Sequence, residues 1–112
     1  MKKLLLVFFA LVALFALTSC GTKTVETEKE RLEKKGFRVG DYSFTYEGLT
    51  GALTATNGDY YVIELVFENS DSAKAFSDNE RAQAAFTLIG YKMYRSGNVV
   101  MFGNEESIKR AK

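Results

Sequence analysis

One cysteine, Cys20, and no histidine limit the chemistry open to this chain. A Ser-His or Cys-His nucleophile pair cannot be assembled from it. A Ser-Lys pair lacks its S-x-x-K spacing, since Ser72 meets Lys74 one position too early. Without histidine or a second cysteine, a metal would have only carboxylates, which suit a hard cation. The nearest acidic run, Asp78-Asn79-Glu80, lacks EF-hand spacing and the central glycine, and reads as a helix turn or cap. No metal and no cofactor are expected. Phosphate cradles are absent too, with neither G-K-[ST] nor G-x-G-x-x-G in the chain.

Paired carboxylates are the remaining acid-base option. Among 14 acidic residues, Glu64 is the one set inside an apolar strand pattern, "YYVIELVF". It reads as an exposed-face residue that discourages aggregation of that segment. Six tyrosines fall at or beside strand patterns. Tyrosine supplies rigid amphipathic contact area, so Tyr60 and Tyr94 are the candidate partner-binding residues, provided their sheet face is open. Tyrosine is also a favoured strand residue with no role beyond packing.

The cysteine lies where an apolar run gives way to polar sequence. Lys2 and Lys3 precede 14 unbroken apolar residues, Leu4 to Leu17, and "LTSC" closes the segment. As a helix that run spans about 21 Å, short of the ~30 Å hydrocarbon core of a bilayer. The length suits a secretory signal better than a permanent span. The tetrapeptide Leu17-Thr18-Ser19-Cys20 resembles the lipobox of bacterial lipoproteins, with basic region, apolar region and lipobox in order. The resemblance implies a diacylglyceryl group on the Cys20 sulfur and cleavage by signal peptidase II between Ser19 and Cys20, with acylation (palmitate or a similar chain) of the new amine. Two acyl chains give stable anchoring where one does not. Gly21 in place of Asp permits outer-membrane sorting, if the organism has an outer membrane. An uncleaved N-terminal helix or ordinary signal cleavage are the alternatives.

With residues 1–19 removed, 13 basic residues face 14 acidic ones, a net charge of −1. A nucleic-acid partner calls for a basic stripe instead. The expected organisation is a signal peptide at 1–19, a lipidated cysteine and short tether at 20–26, and one domain at 27–112.

Thr27 and Glu30 fit a capping box for a first helix that ends before Gly36, with a start as early as Val25 the alternative. Tyr42, Phe44 and Tyr46 alternate with Ser43 and Thr45 and predict a half-buried strand. Two strands flank Asn57-Gly58 as a hairpin, with Tyr61, Ile63, Leu65 and Phe67 as the core face. A long helix follows over 70–90, its stripe Ala75, Ala82, Phe86 and Ile89, with a break near Ser77 allowed by a second capping box. A second hairpin turns at Ser96-Gly97, and a helix capped by Asn104 closes the chain. Phe67, Asn69, Ser72 and Lys74 match Phe102, Asn104, Ser107 and Lys109 at one offset. This fits either an internal α-β-β repeat or shared capping chemistry.

The expected fold is α+β, a two-layer sandwich with an antiparallel sheet of four to five strands and helices on one face. In element order the body is similar to small uncharacterised lipoproteins of Gram-positive bacteria. The expected function is that of an extracytoplasmic lipoprotein, held to the cell membrane through Cys20, whose small non-catalytic domain binds an envelope protein or surface ligand. The alternatives are an accessory or inhibitor module of an envelope enzyme and, with less support, a small carboxylate-dependent hydrolase.

Overall fold

The structure, a computed structural model, describes residues 22–112. In chain order these form α1 (Val25–Lys34), β1 (Arg38–Asp41), β2 (Leu49–Asn57), β3 (Tyr60–Phe67), α2 (Ser70–Ser77), α3 (Glu80–Leu88), β4 (Lys92–Ser96), β5 (Val99–Gly103) and α4 (Glu105–Ala111). The five strands make one antiparallel sheet in the order β1-β2-β3-β5-β4. The fold is α+β, as the alternation of hairpins and helices predicts.

The helices cover both faces of that sheet, not one. Ile63, Leu65 and Phe67 of β3 pack with Ala73 and Phe76 of α2, Phe86 of α3 and Phe102 of β5. On the opposite face Val62 and Met101 pack with Leu32 of α1 and with Ile108 and Ala111 of α4. All six residues from Val62 to Phe67 are buried, because β3 lies at the centre of the sheet with helices above and below. A single charged residue, Glu64, made the second face read as wet.

Aromatic rings dominate the α2/α3 side. Phe86 stacks on Phe102 with centroids 4.2 Å apart, and Phe76 meets Tyr46, Phe67 and Phe102 at 5.0, 5.4 and 6.1 Å. Residues 42–46 have the alternation of a strand but no ladder pairing. Tyr42, Phe44 and Tyr46 still turn their rings onto this core, so the period reports the buried side, while β1 itself lies earlier, at Arg38–Asp41.

Local chemistry sets the helix limits. Thr24 caps α1, and Thr27 returns the bond to the Thr24 backbone, so the capping box sits three residues ahead of the expected one. The long helix breaks after Ser77, and Asn79 caps α3 by accepting from the N–H groups of Arg81 and Ala82. Gln83 holds the break, its Nε2 donating to the Ser77 carbonyl at 2.6 Å. The break rotates the helical stripe: Ala73, Phe76 and Phe86 are buried, Ala82 is half-buried, and Ala75 and Ile89 are exposed. Gly51 lets α1 approach β2, since a Cβ there would stand 2.6 Å from a Val25 methyl.

The two halves share element order and cap chemistry. Asn69 and Asn104 accept from Ser72 N and Ser107 N, each at 2.8 Å. The symmetry stops there, because α2 leaves β3 for one face and α4 leaves β5 for the other.

With both faces covered, Ile63→Ala and Met101→Ala should each cost about 2–5 kcal/mol. Chemical denaturation of the two variants checks this; a silent Met101→Ala would mean that α1 and α4 do not seal their face.

Candidate functional site

Glu64 lies under α1 with 0% of its surface exposed, the reverse of the exposed-face reading. Helical spacing brings Glu28 and Arg31, three residues apart, onto the face of α1 that covers it. Arg31 Nε donates to both Glu28 oxygens at 3.2 Å, and its Nη2 donates to Glu28 Oε1 at 3.1 Å and Glu64 Oε2 at 3.5 Å. The remaining nitrogen, Nη1, donates to the carbonyls of Ala111 and Lys112 at the end of α4. One guanidinium therefore ties two carboxyl groups to the open C-terminal end of a second helix, where a cation is favoured.

The two carboxyls are unequal. Burial pushes Glu64 up to about 9, reinforced by hydrogen bonding and charge from Glu28 and opposed by Arg31 and Lys23. Burial works to raise Glu28 as well, but the hydrogen bond from Glu64 and the bonds and charge of Arg31 outweigh it, and Glu28 sits below its ordinary value. As an ion, Glu64 would leave Oε1 buried without a hydrogen-bond donor; as a neutral acid it has a proton to donate to Glu28. The pair thus holds one proton and one negative charge, as two adjoining buried carboxyls must.

A cavity of about 90 Å³ opens beside this pair, lined by Lys23, Glu28, Arg31, Tyr94, Ser96 and Lys112 over a floor of Val99 and Met101. At roughly 30 Å³ per water it has room for about three waters or one small ion. Glu64 lies behind the lining. Acid and base are adjacent here, but there is no cleft between them for a substrate bond to enter. Among the described residues no group of three or more acidic or cysteine side chains is placed to hold a metal.

The expected tyrosine patch does not form. Tyr60 and Tyr94 are half-buried against the α1/α4 core. Arg110 lies 5.0 Å from the Tyr60 ring centroid, and Lys112 Nζ lies 4.3 Å from that of Tyr94. The sheet face they share is already covered. The large apolar side chains left to solvent are elsewhere, Leu88 (85% exposed) and Ile89 (63%) at the end of α3 and Met93 on the edge strand β4. Helical periodicity assigned Ile89 to the core, so this exposure was not legible before the break at Ser77 was placed.

The domain also begins earlier than expected. Asn98, 1% exposed, accepts from Lys23 N at 2.8 Å and donates Nδ2 to the carbonyls of Lys23 at 2.7 Å and Phe67 at 2.8 Å. Residues 23–26 therefore belong to the folded body and not to a tether. Ser19, Cys20 and the apolar segment lie outside the described residues, among which no helix is long and apolar enough to cross a membrane. Comparison with protein-family models, with curated proteins and with solved structures finds no match.

The inequality of the carboxyls has a pH signature. A group whose pKa is raised on folding stabilises fully below its unfolded value, and the gain is lost as pH climbs through the folded one. For Glu64 that decline runs from about 4.5 toward about 9. Glu28, lowered on folding, stabilises above about 4.5 and loses its contribution as pH falls below it. Glu64→Gln keeps a neutral donor in place, so its melting temperature should fall less than the parent's between these limits. Parallel thermal melts across that range decide the matter; identical slopes would mean that Glu64 is ionised in the fold.

Proposed function

We propose that this chain is a membrane-anchored extracytoplasmic lipoprotein whose small non-catalytic domain binds an envelope protein or a surface ligand. The observation that carries the reading is Leu17-Thr18-Ser19-Cys20 at the close of a signal-like segment, three residues ahead of the first residue fixed to the domain. An anchor at Cys20 places the domain directly on the outer surface of the membrane, or at the outer membrane where one exists. The alternative of an accessory or inhibitor module of an envelope enzyme draws support from Leu88, Ile89 and Met93, since exposed apolar groups in proximity mark interaction surfaces. A small carboxylate-dependent hydrolase has less support, because only Glu28 of the two carboxyls lines the small cavity, Glu64 lies behind it, and Arg31 engages both.

Two experiments test the reading. Cys20→Ala, expressed in a bacterial host, should accumulate as a slower-migrating precursor; processing at the normal size would rule out the lipobox. In-cell crosslinking of the tagged chain should recover an envelope protein that Leu88→Asp with Ile89→Asp releases, while the variant keeps its melting temperature. Recovery unchanged by that variant would exclude the α3 end as the contact.

A further inference from the structure

The chain enters the fold at one end of the sheet. Lys23 is bonded to Asn98, beside the β4–β5 turn. Antiparallel pairing fixes what else lies there: Val66 pairs with Val99, and Ser96 with Val99 across the hairpin. The end of α4 reaches the same place, since Lys112 and Lys23 line one cavity. The opposite end carries the β2–β3 turn at Gly58 and the start of β4, which follows the exposed Leu88 and Ile89.

At the entry end Lys23 stands between two hollows, sharing one with Glu26 and Glu68 and the other with Arg31 and Lys112. On the α1/α4 face stand Lys23, Arg31 and Lys112 around the small cavity. On the α2 face Glu47, Glu68 and Asp71 border a shallow depression of about 350 Å³. Arg31 is spent on Glu28, Glu64 and the end of α4. Lys23 and Lys112 are not. Lys23 Nζ is 3.4 Å from Ser96 Oγ, Lys112 Nζ rests on the Tyr94 ring, and the ion pairs of the described residues include neither of them. Of the two carboxyls nearby Glu28 lines the cavity, and Glu64, its carboxyl pKa raised by burial, lies behind the lining. Of the side chains that line this mouth three are cations and one, Glu28, is an anion, with hydroxyls at Ser96 and Tyr94 beside them; Glu26 and Glu68 border the neighbouring hollow that Lys23 shares.

We propose that the Lys23–Ser96–Lys112 mouth is a docking site for the phosphate of a membrane lipid headgroup. The occupant follows from where the chain leads: Thr22 stands at this end, and Cys20, two positions earlier in sequence, is the lipidated residue in the function proposed above, on which this inference rests. Three residue steps from Cys20 to Lys23, about 10–11 Å even if fully extended, keep the mouth within reach of headgroups. The domain then leans on its α1/α4 face, the acidic α2 face tilts away from anionic lipid, and Leu88 and Ile89 point outward. Asn98 is the positioning residue of this arrangement, because its bonds to Lys23 make the attachment stiff.

Lysine acylation of the full chain, followed by mass spectrometry, tests this. The intact mass first reports whether Cys20 carries lipid, a result independent of the docking site. In phosphatidylglycerol vesicles Lys23 and Lys112 should be acylated at least about threefold more slowly than in neutral detergent, as expected of cations held at an anionic lipid surface. Lys74 and Lys92, away from the mouth, should be unchanged. Equal rates at Lys23 and Lys112 in vesicles and detergent would overturn the proposal. So would the same protection from inorganic phosphate in detergent, which would make the ligand a soluble anion. Asn98→Ala should remove the protection of Lys112 while lipid stays on Cys20; if it does not, the clamp has no part in orientation. Should the mass show no lipid, the same labelling with vesicles added to the unlipidated chain still decides the site, and the anchoring reading fails alone.

Discussion

The structure depends on burying β3 from both sides. An antiparallel sheet commonly leaves one face to water, but here the central strand has helices above and below, and its one charged position must be accommodated in the dry layer between β3 and α1. An isolated buried carboxylate is too costly to persist. The fold meets that constraint by keeping Glu64 neutral and setting it against an ionised Glu28 and Arg31. Removing one member of such a cluster leaves the others unpaired, which costs more than the cluster gains over an apolar core. The triad thus fixes how α1 sits on the sheet, and through Arg31 it also fixes the end of α4.

The same region joins the domain to the segment ahead of it. Asn98 is fully enclosed and satisfies three backbone groups, two on Lys23 and one on Phe67. Buried amides that spend all their bonds on backbone specify a single arrangement, so Lys23 is part of the β-sheet's end. Under the anchoring proposed at Cys20, so stiff an attachment would present a defined side outward. The apolar groups left exposed, Leu88 and Ile89, lie at the end of the sheet away from that attachment, where a partner has access to them.

The Asn104 cap and the hairpin turns were readable because their chemistry is local. Asn104 and Gly58 act where their types placed them, the first as a helix cap and the second at positive φ in a hairpin turn. The strand periods were readable for a similar reason: Ile63, Leu65 and Phe67 share a core face as alternation requires. The role of Glu64 was not readable, because a charge in a strand says only that one face tolerates it, and tolerance came from Glu28 and Arg31, more than thirty residues away in sequence. Ile89 failed in the same way. Its helical phase runs through a helix that Asn79 and Gln83 interrupt.

By itself the sequence determined most of the elements, the Asn104 cap, the antiparallel hairpins, the α+β class and the exclusion of histidine-based chemistry, since each follows from residue type and short spacing. Only the tertiary structure decided which faces are dry, that Glu64 is buried beside Glu28 and Arg31, that Tyr60 and Tyr94 are half-buried against a helix-covered face, and that the folded body includes Lys23. Those outcomes depend on which helix crosses which face of the sheet, and no local pattern encodes that choice. It is made by the summed burial of two opposed cores that meet only in the folded chain.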